Sequence, residues 1–222
     1  MCKQVVIFDL DDTLYKEIDY LKSAYREIAS GVFPALEVDF KEEDGLYHWM
    51  LTNYRQGKNV FDELLRYPVP FSPEELLRIY REHQPSIALS DGAMEVLEYL
   101  KKEGHAIGLI TDGRSCTQRN KIEALGLGKY VEPELVLVSE ETGFCKPSSE
   151  SYRYVMQRHP GACYVYVGDN PKKDFYAPNQ LGWMTVCLKN DGRNIHPQEE
   201  VELAYRAQVL IENLKEVKKI LQ

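Results

Sequence analysis

The stretch Val5-Val6-Ile7-Phe8-Asp9-Leu10-Asp11-Asp12-Thr13 decides the fold of this chain. Its apolar half reads as a short strand buried on both faces, broken at once by Asp9. Asp9 and Asp11, two residues apart, can point the same way while the chain is still extended. Two carboxylates crowded together repel, and a cation, a proton or both makes the arrangement tolerable. In an open α/β sheet ligands bind beyond the carboxyl ends of the strands, so chemistry would be placed here. Taken alone, the same residues could be no more than an acidic turn that ends a strand and caps a helix.

Working outward, Gln4–Asp9, Ala106–Asp112, Leu135–Ser139, Cys163–Asp169, Met184–Leu188 and Gln208–Ile211 are short runs rich in Val, Ile, Leu and Tyr. They read as strands of one parallel sheet. Helical patterns lie between most of them. Ala93, Val96, Leu97 and Leu100 recur at helical spacing, with Gly104 as a stop, and further helices are expected at about Cys116–Leu125, Ser149–Arg158, Lys173–Leu181 and Lys215–Leu221. This alternation predicts an α/β fold, a doubly wound, Rossmann-like parallel sheet core built from right-handed crossovers.

The stretch from about Tyr15 to Ser86 breaks the alternation. It shows helical but no strand signal, with helices expected at Ile18–Ala29 and Asp44–Tyr54 and a capping box at Ser72-Pro73-Glu74-Glu75 opening a third through about Glu82. Some 70 residues are too many for a loop, so an all-helical cap domain, residues 16–86, is expected within a core formed by 1–15 and 87–222.

The 222 residues are 44% hydrophobic and 28% charged, a composition that excludes disordered, collagenous and disulfide-stapled classes. No apolar run is long enough to span a membrane and no signal peptide is recognised. Five widely spaced cysteines, Cys2, Cys116, Cys145, Cys163 and Cys187, form no C-x-x-C pair, as expected of a reduced, cytoplasmic protein without structural zinc. The net charge of −8 argues against a nucleic-acid partner, which calls for a basic stripe.

Three more strand ends carry polar residues. Ile110-Thr111-Asp112-Gly113 offers a hydroxyl and a glycine-loosened backbone suited to phosphate oxygens. Cys145-Lys146-Pro147 places a lysine just before a helix start, and Gly168-Asp169-Asn170-Pro171-Lys172-Lys173-Asp174 adds two carboxylates. Each has a plain structural explanation, as a turn residue, a solvated charge or a helix cap. Four strand ends carrying Asp, Thr, Lys and Asp in that order are much harder to explain so.

On these motifs the chain resembles the haloacid dehalogenase-like superfamily, in its phosphatase branch with a helical cap inserted after the first strand. The resemblance covers nearly the whole chain. It implies Asp9 as the nucleophile that becomes an aspartyl-phosphate, and Asp11 as the acid for the leaving alcohol and then the base for water. Magnesium would sit on the Asp9 and Asp169 carboxylates and the Asp11 backbone carbonyl, with Asp174 holding a metal-bound water. Thr111 and the amide of Asp112 would bind phosphate oxygens, and Lys146 would offset the charge of phosphate and nucleophile. Lys173, where many relatives carry a small polar residue, is expected to point to solvent.

The implied substrate is a small phosphorylated metabolite, a phosphosugar or nucleoside monophosphate, chosen by the cap; the oligomeric state is open. Arg26, Arg55, Lys58 and Arg66 are candidate contacts and Tyr25, Tyr47, Trp49, Tyr54 and Phe61 candidate walls, although solvated cations and core aromatics explain each as well. His48 and His83 show no metal-ligand spacing. A phosphomutase of the same fold is the nearest rival. A dehalogenase fits less well because Asp11 is present. A receiver-like phospho-acceptor would be about half the length, and a scaffold without activity would not need every catalytic position filled.

Overall fold

The computed structural model describes residues 4–35 and 43–221, so Cys2 and the segment 36–42 lie outside the described residues. Six strands form one sheet: β1 (Gln4–Phe8), β2 (Ala106–Thr111), β3 (Val136–Val138), β4 (Cys163–Gly168), β5 (Met184–Leu188) and β6 (Val209–Ile211). All pairings are parallel and the order is β3-β2-β1-β4-β5-β6. This is the doubly wound order, whose direction of winding reverses between β1 and β4, and a crevice opens at that point. The expected strands are all present: β1, β2, β3 and β4 each end one residue short of the expected polar terminus, β3 and β6 begin one residue later than expected, and the bounds of β5 coincide.

Ten α-helices accompany them among the described residues: α1 (Glu17–Val32), α2 (Glu43–Arg55), α3 (Val60–Leu64), α4 (Pro73–Glu82), α5 (Asp91–Lys102), α6 (Ser115–Ala124), α7 (Ser139–Thr142), α8 (Glu150–Arg158), α9 (Tyr176–Gln180) and α10 (Val217–Ile220). Helices cover both faces of the central strands, which is why β1 and β2 read as continuous apolar runs and are buried almost throughout. On one face Val5, Ile7, Ile110, Leu137 and Tyr166 pack with Tyr152, Val155, Phe175 and Trp183. Tyr152 meets Tyr166 and Trp183 edge-on, with ring centroids 5.2 and 5.4 Å apart, a geometry that suits the ring quadrupoles.

Two expectations needed revision. Helix α9 is shorter than the expected Lys173–Leu181, because the residues before Tyr176 form a tight turn in which the amides of Lys173 and Asp174 both donate to Asn170 O, at 3.1 and 2.9 Å. The C-terminal helix begins as a 3₁₀ turn, Leu214–Glu216, capped by Asn213.

The chain divides into two compact units, one comprising residues 1–18 and 88–222 and the other Asp19–Ile87. The second contains most of α1 together with α2, α3 and α4. The capping box is present: the amide of Glu75 donates to Ser72 Oγ at 3.2 Å and that of Ser72 to Glu75 Oε2 at 2.8 Å. Its aromatic residues face one another. Tyr20 meets Tyr80 at 5.5 Å, Tyr25 meets Tyr54 at 6.4 Å, Phe61 meets Tyr80 at 6.1 Å and Trp49 meets Tyr67 at 5.7 Å. His83 is buried between Ser23 Oγ at 3.2 Å and the Tyr80 carbonyl at 3.0 Å. Three of the four cations singled out here have partners within the unit: Arg26 lies 4.2 Å over the Tyr47 ring, Lys58 donates to Asn53 at 3.1 Å and Arg66 to Glu63 at 3.0 Å.

Candidate active site

The carboxyl ends of β1, β2 and β4 meet the loop after α7 around a cavity of about 110 Å³. Asp9, Asp11, Thr111, Asp112, Lys146 and Asp169 all line it, together with Asp12, Glu17, Asn170, Lys173 and His196. The pairing of β1 with β4 brings the ends of the two strands side by side, and the amide of Asp9 continues the ladder to Val167 O at 2.9 Å. Asp9 and Asp169 therefore converge although 160 positions apart in sequence.

Lys146 is the hub. Its buried ammonium donates to Asp9 Oδ1 at 2.6 Å, to Asp174 Oδ1 at 2.7 Å and to the Tyr166 hydroxyl at 3.3 Å. Burial works against its charge, but the carboxylates of Asp174 and Asp9 prevail and raise it well above an ordinary lysine. The other oxygen of Asp9, Oδ2, takes no hydrogen bond from any described residue.

Asp174 is fully buried and both its oxygens are engaged: Oδ1 by Lys146, and Oδ2 by the amides of Asp169 and Asn170 at 3.1 and 2.8 Å. Gly168 makes room for this. A Cβ there would lie 2.5 Å from Asp174 Oδ2, closer than any real contact. Asp169 accepts from Asn194 Nδ2 at 2.7 Å, while Gln198 Nε2 holds its backbone carbonyl at 2.6 Å. Asp12 adopts a left-handed φ of 56°, which aspartate tolerates better than most residues. Its carboxylate accepts from the amides of Glu17 and Ile195, both at 3.0 Å, and so ties the first loop to the β5–β6 connection.

Around Asp11 the donors are different. Lys121 Nζ lies 2.7 Å from Oδ1, Gln118 Nε2 donates to Oδ2 at 2.9 Å, and the Tyr15 hydroxyl also donates to Oδ1. Thr111 Oγ1 accepts from Gln118 at 2.6 Å, and the Asp112 carboxylate accepts from the amide of Lys146 at 3.0 Å. Lys173 is half exposed, as expected of it, yet its ammonium stands 3.8 Å from Asp112 and it lines the cavity. Gly113, expected to loosen the phosphate loop, has a φ of 145°, and its amide donates to Ser139 Oγ at 2.9 Å.

Sequence reading did not find Gln118, Lys121, Tyr15, Tyr166, Asn194 or Gln198. For the first pair the sequence offers only their spacing of three on α6; that this helix buries Gln118 and Lys121 with Ile122 is seen in the structure alone. Asn194 and Gln198 sit in an irregular connection that shows no periodicity to read.

The electrostatics divide the carboxylates. Burial, reinforced by Asp174 and Asp11 and opposed by Lys146, pushes Asp9 up to about 7. Burial with Asp174 and Asp9 nearby pushes Asp169 up to about 9, and burial near Asp11 lifts Glu17 to about 8. Burial works to raise Asp11 as well, but the charge of Lys121 and the hydrogen bonds from Lys121, Tyr15 and Gln118 outweigh it and hold Asp11 below the ordinary value. The cavity is lined by six acidic side chains against two lysines. Asp9, Glu17 and Asp169 are raised by burial and by the acids that share this lining, and ionising them beside a phosphate dianion calls for a cation in place of their protons. Oxygens of Asp9, Asp169 and Asp174 lie within 4.8 Å of one another, an all-oxygen donor set that suits a hard divalent cation such as magnesium.

Residues 6–188 match the profile of the haloacid dehalogenase-like hydrolases. The chain belongs to this family, in its phosphatase branch. It is similar to a glyceraldehyde 3-phosphate phosphatase of Methanocaldococcus jannaschii, with 31% identity covering 96% of this chain and 98% of that one. A ribulose-1,5-bisphosphate 5-phosphatase of Halopiger xanaduensis is 37% identical over 46% of this chain and 43% of its own length. Among solved structures, the putative hydrolase YfnB of Bacillus subtilis bound to magnesium superposes with a TM-score of 0.67 at 21% identity, covering the whole of both chains.

Proposed function

We propose that this phosphatase hydrolyses a small phosphosugar through transfer of the phosphoryl group to Asp9. The observation that carries the reading is the convergence of Asp9, Thr111, Lys146 and Asp169 on one cavity, with Asp9 Oδ1 held by Lys146 and Oδ2 taking no hydrogen bond from the described residues. The two curated relatives above are named for three- and five-carbon sugar phosphates, which supports that substrate class.

In this reading Asp9 Oδ2 attacks phosphorus, the bond to the ester oxygen breaks, and Asp11 passes a proton to that oxygen. Asp11 rests as a carboxylate among its donors, so the proton arrives with the substrate, whose second ionisation lies near 6 (about the value for phosphate monoesters). Water then attacks the aspartyl-phosphate and gives its proton to Asp11. Lys146 and the Thr111 hydroxyl hold the phosphoryl oxygens, and Asp174 keeps Lys146 in place. Magnesium, held by Asp9, Asp169 and the Asp11 carbonyl, would offset the negative lining and polarise the phosphoryl group.

Substrate choice is assigned to Asp19–Ile87, which follows directly on the segment supplying Asp9, Asp11, Asp12 and Glu17 to the cavity. A cytoplasmic location belongs to the same proposal, supported by four free cysteines among the described residues.

The test is phosphate release from glyceraldehyde 3-phosphate and a panel of other sugar phosphates, with metal-stripped protein before and after magnesium is restored. The expected outcome is magnesium-dependent release of inorganic phosphate, not transfer to a second hydroxyl, and its loss in Asp9→Asn. Full activity in that variant, or in the presence of a chelator, would overturn the proposal.

A further inference from the structure

Gln118 and Lys121 belong to none of the four strand-end motifs, yet both are almost completely buried and both end on Asp11. Three apart on α6, they share one helix face. An ammonium drawn out of water is costly unless it is paired. Here the pairing goes to the carboxylate assigned as acid and base. The two donors grip opposite oxygens: Lys121 takes Asp11 Oδ1 at 2.7 Å and Gln118 takes Oδ2 at 2.9 Å, with the Tyr15 hydroxyl also on Oδ1. A carboxylate held at both oxygens loses the rotation about its side-chain bonds that it would otherwise keep. The Gln118 amide also reaches Thr111 Oγ1 at 2.6 Å and the Asp112 carbonyl at 3.2 Å, so it joins the acid to the residues facing the phosphate.

We infer that Gln118 and Lys121 are positioning residues that aim the Asp11 carboxylate at the ester oxygen and then at water, and that Gln118 ties this aim to Thr111. The inference rests on the assignment of Asp11 as acid and base made above. Proton transfer demands hydrogen-bond reach to the reacting oxygen, and a small misplacement is expensive in rate.

Leaving-group dependence separates positioning of an acid from general support of the site. An alkyl phosphate needs a proton on its departing oxygen, whereas 2,4-dinitrophenyl phosphate departs without one. For Lys121→Met and Gln118→Met, kcat/KM for an alkyl phosphate should fall on the order of 10²-fold, and for the dinitrophenyl ester by less than about tenfold. Asp11→Asn, measured alongside, should show the same selective loss. Equal losses on both esters in the Lys121 and Gln118 variants, or no loss on either, would overturn the inference while a selective Asp11→Asn left the role of Asp11 standing. Equal losses in Asp11→Asn itself would instead overturn the assignment of Asp11. Should Lys121→Met fail to fold, Gln118→Met, which removes no charge, decides by the same two outcomes.

Discussion

Lys146 stands between two buried carboxylates, so at the scale of a single residue its substitution is felt by both. Lys146→Met would leave Asp9 and Asp174 facing each other with no cation between them. Breaking a buried pair by removing one partner costs about 3–5 kcal/mol, because the remaining charge has neither water nor a counterion. We expect a loss of that size in urea unfolding at pH 7. It should shrink at pH 5, where a carboxylate robbed of its lysine takes up a proton and the repulsion ends. A loss independent of pH would point to lost packing of the lysine stem instead. Asp11 differs from Asp9 by environment alone: both are aspartates at the end of β1, yet one is raised by burial beside acids and the other held down by Lys121, Tyr15 and Gln118.

Among the elements, the turn between β4 and α9 shows how one residue type organises a loop. Asp174 closes it by accepting the amides of Asp169 and Asn170, and Gly168 is the only residue type that leaves space for the returning carboxylate. In the inserted unit, α4 depends on its own cap. Ser72→Ala removes the oxygen that satisfies the Glu75 amide and should cost about 1 kcal/mol of local stability. Hydrogen exchange in the full chain checks this: first-turn amides of α4 should lose protection while those of β1 and β4 stay unchanged. Equal loss in the sheet would mean that α4 and the sheet unfold as one.

For the molecule as a whole, the raised carboxylates set the response to pH. Asp9 at about 7, Glu17 at about 8 and Asp169 at about 9 bind protons more tightly folded than unfolded, where the ordinary values are 3.8 and 4.5. Between about pH 4 and 9 the folded state therefore holds the more protons, and metal-free stability falls as pH rises. A divalent cation binds the deprotonated carboxylates, so its stabilising effect has the opposite slope. Thermal unfolding at pH 5.5 and 8.5, with and without magnesium, should show a metal-induced rise in Tm that is larger at the higher pH. A rise independent of pH would remove Asp9 and Asp169 from the binding site. No helix among the described residues is long and apolar enough to cross a bilayer.

Local chemistry was enough to read the sheet and the four strand ends. Buried parallel strands are continuous apolar runs, the polar residue that stops each one is visible in the chain, and the Ser72 capping box is a contact of residues three apart. The partners of those strand-end residues were another matter. Lys121 reaches Asp11 across 110 positions, Lys146 reaches Asp9 across 137, and Asn194 reaches Asp169 from a loop with no periodic pattern. Whether a carboxylate is raised or lowered depends on such neighbours and on burial, and only the folding of β1 against β2 and β4 brings them together. The sequence alone therefore determined that Asp9, Asp11, Thr111, Asp112, Lys146 and Asp169 follow strand ends, and the tertiary structure decided which further residues join them and the charge each one carries there, because Coulombic and desolvation energies depend on distances that the linear chain does not contain.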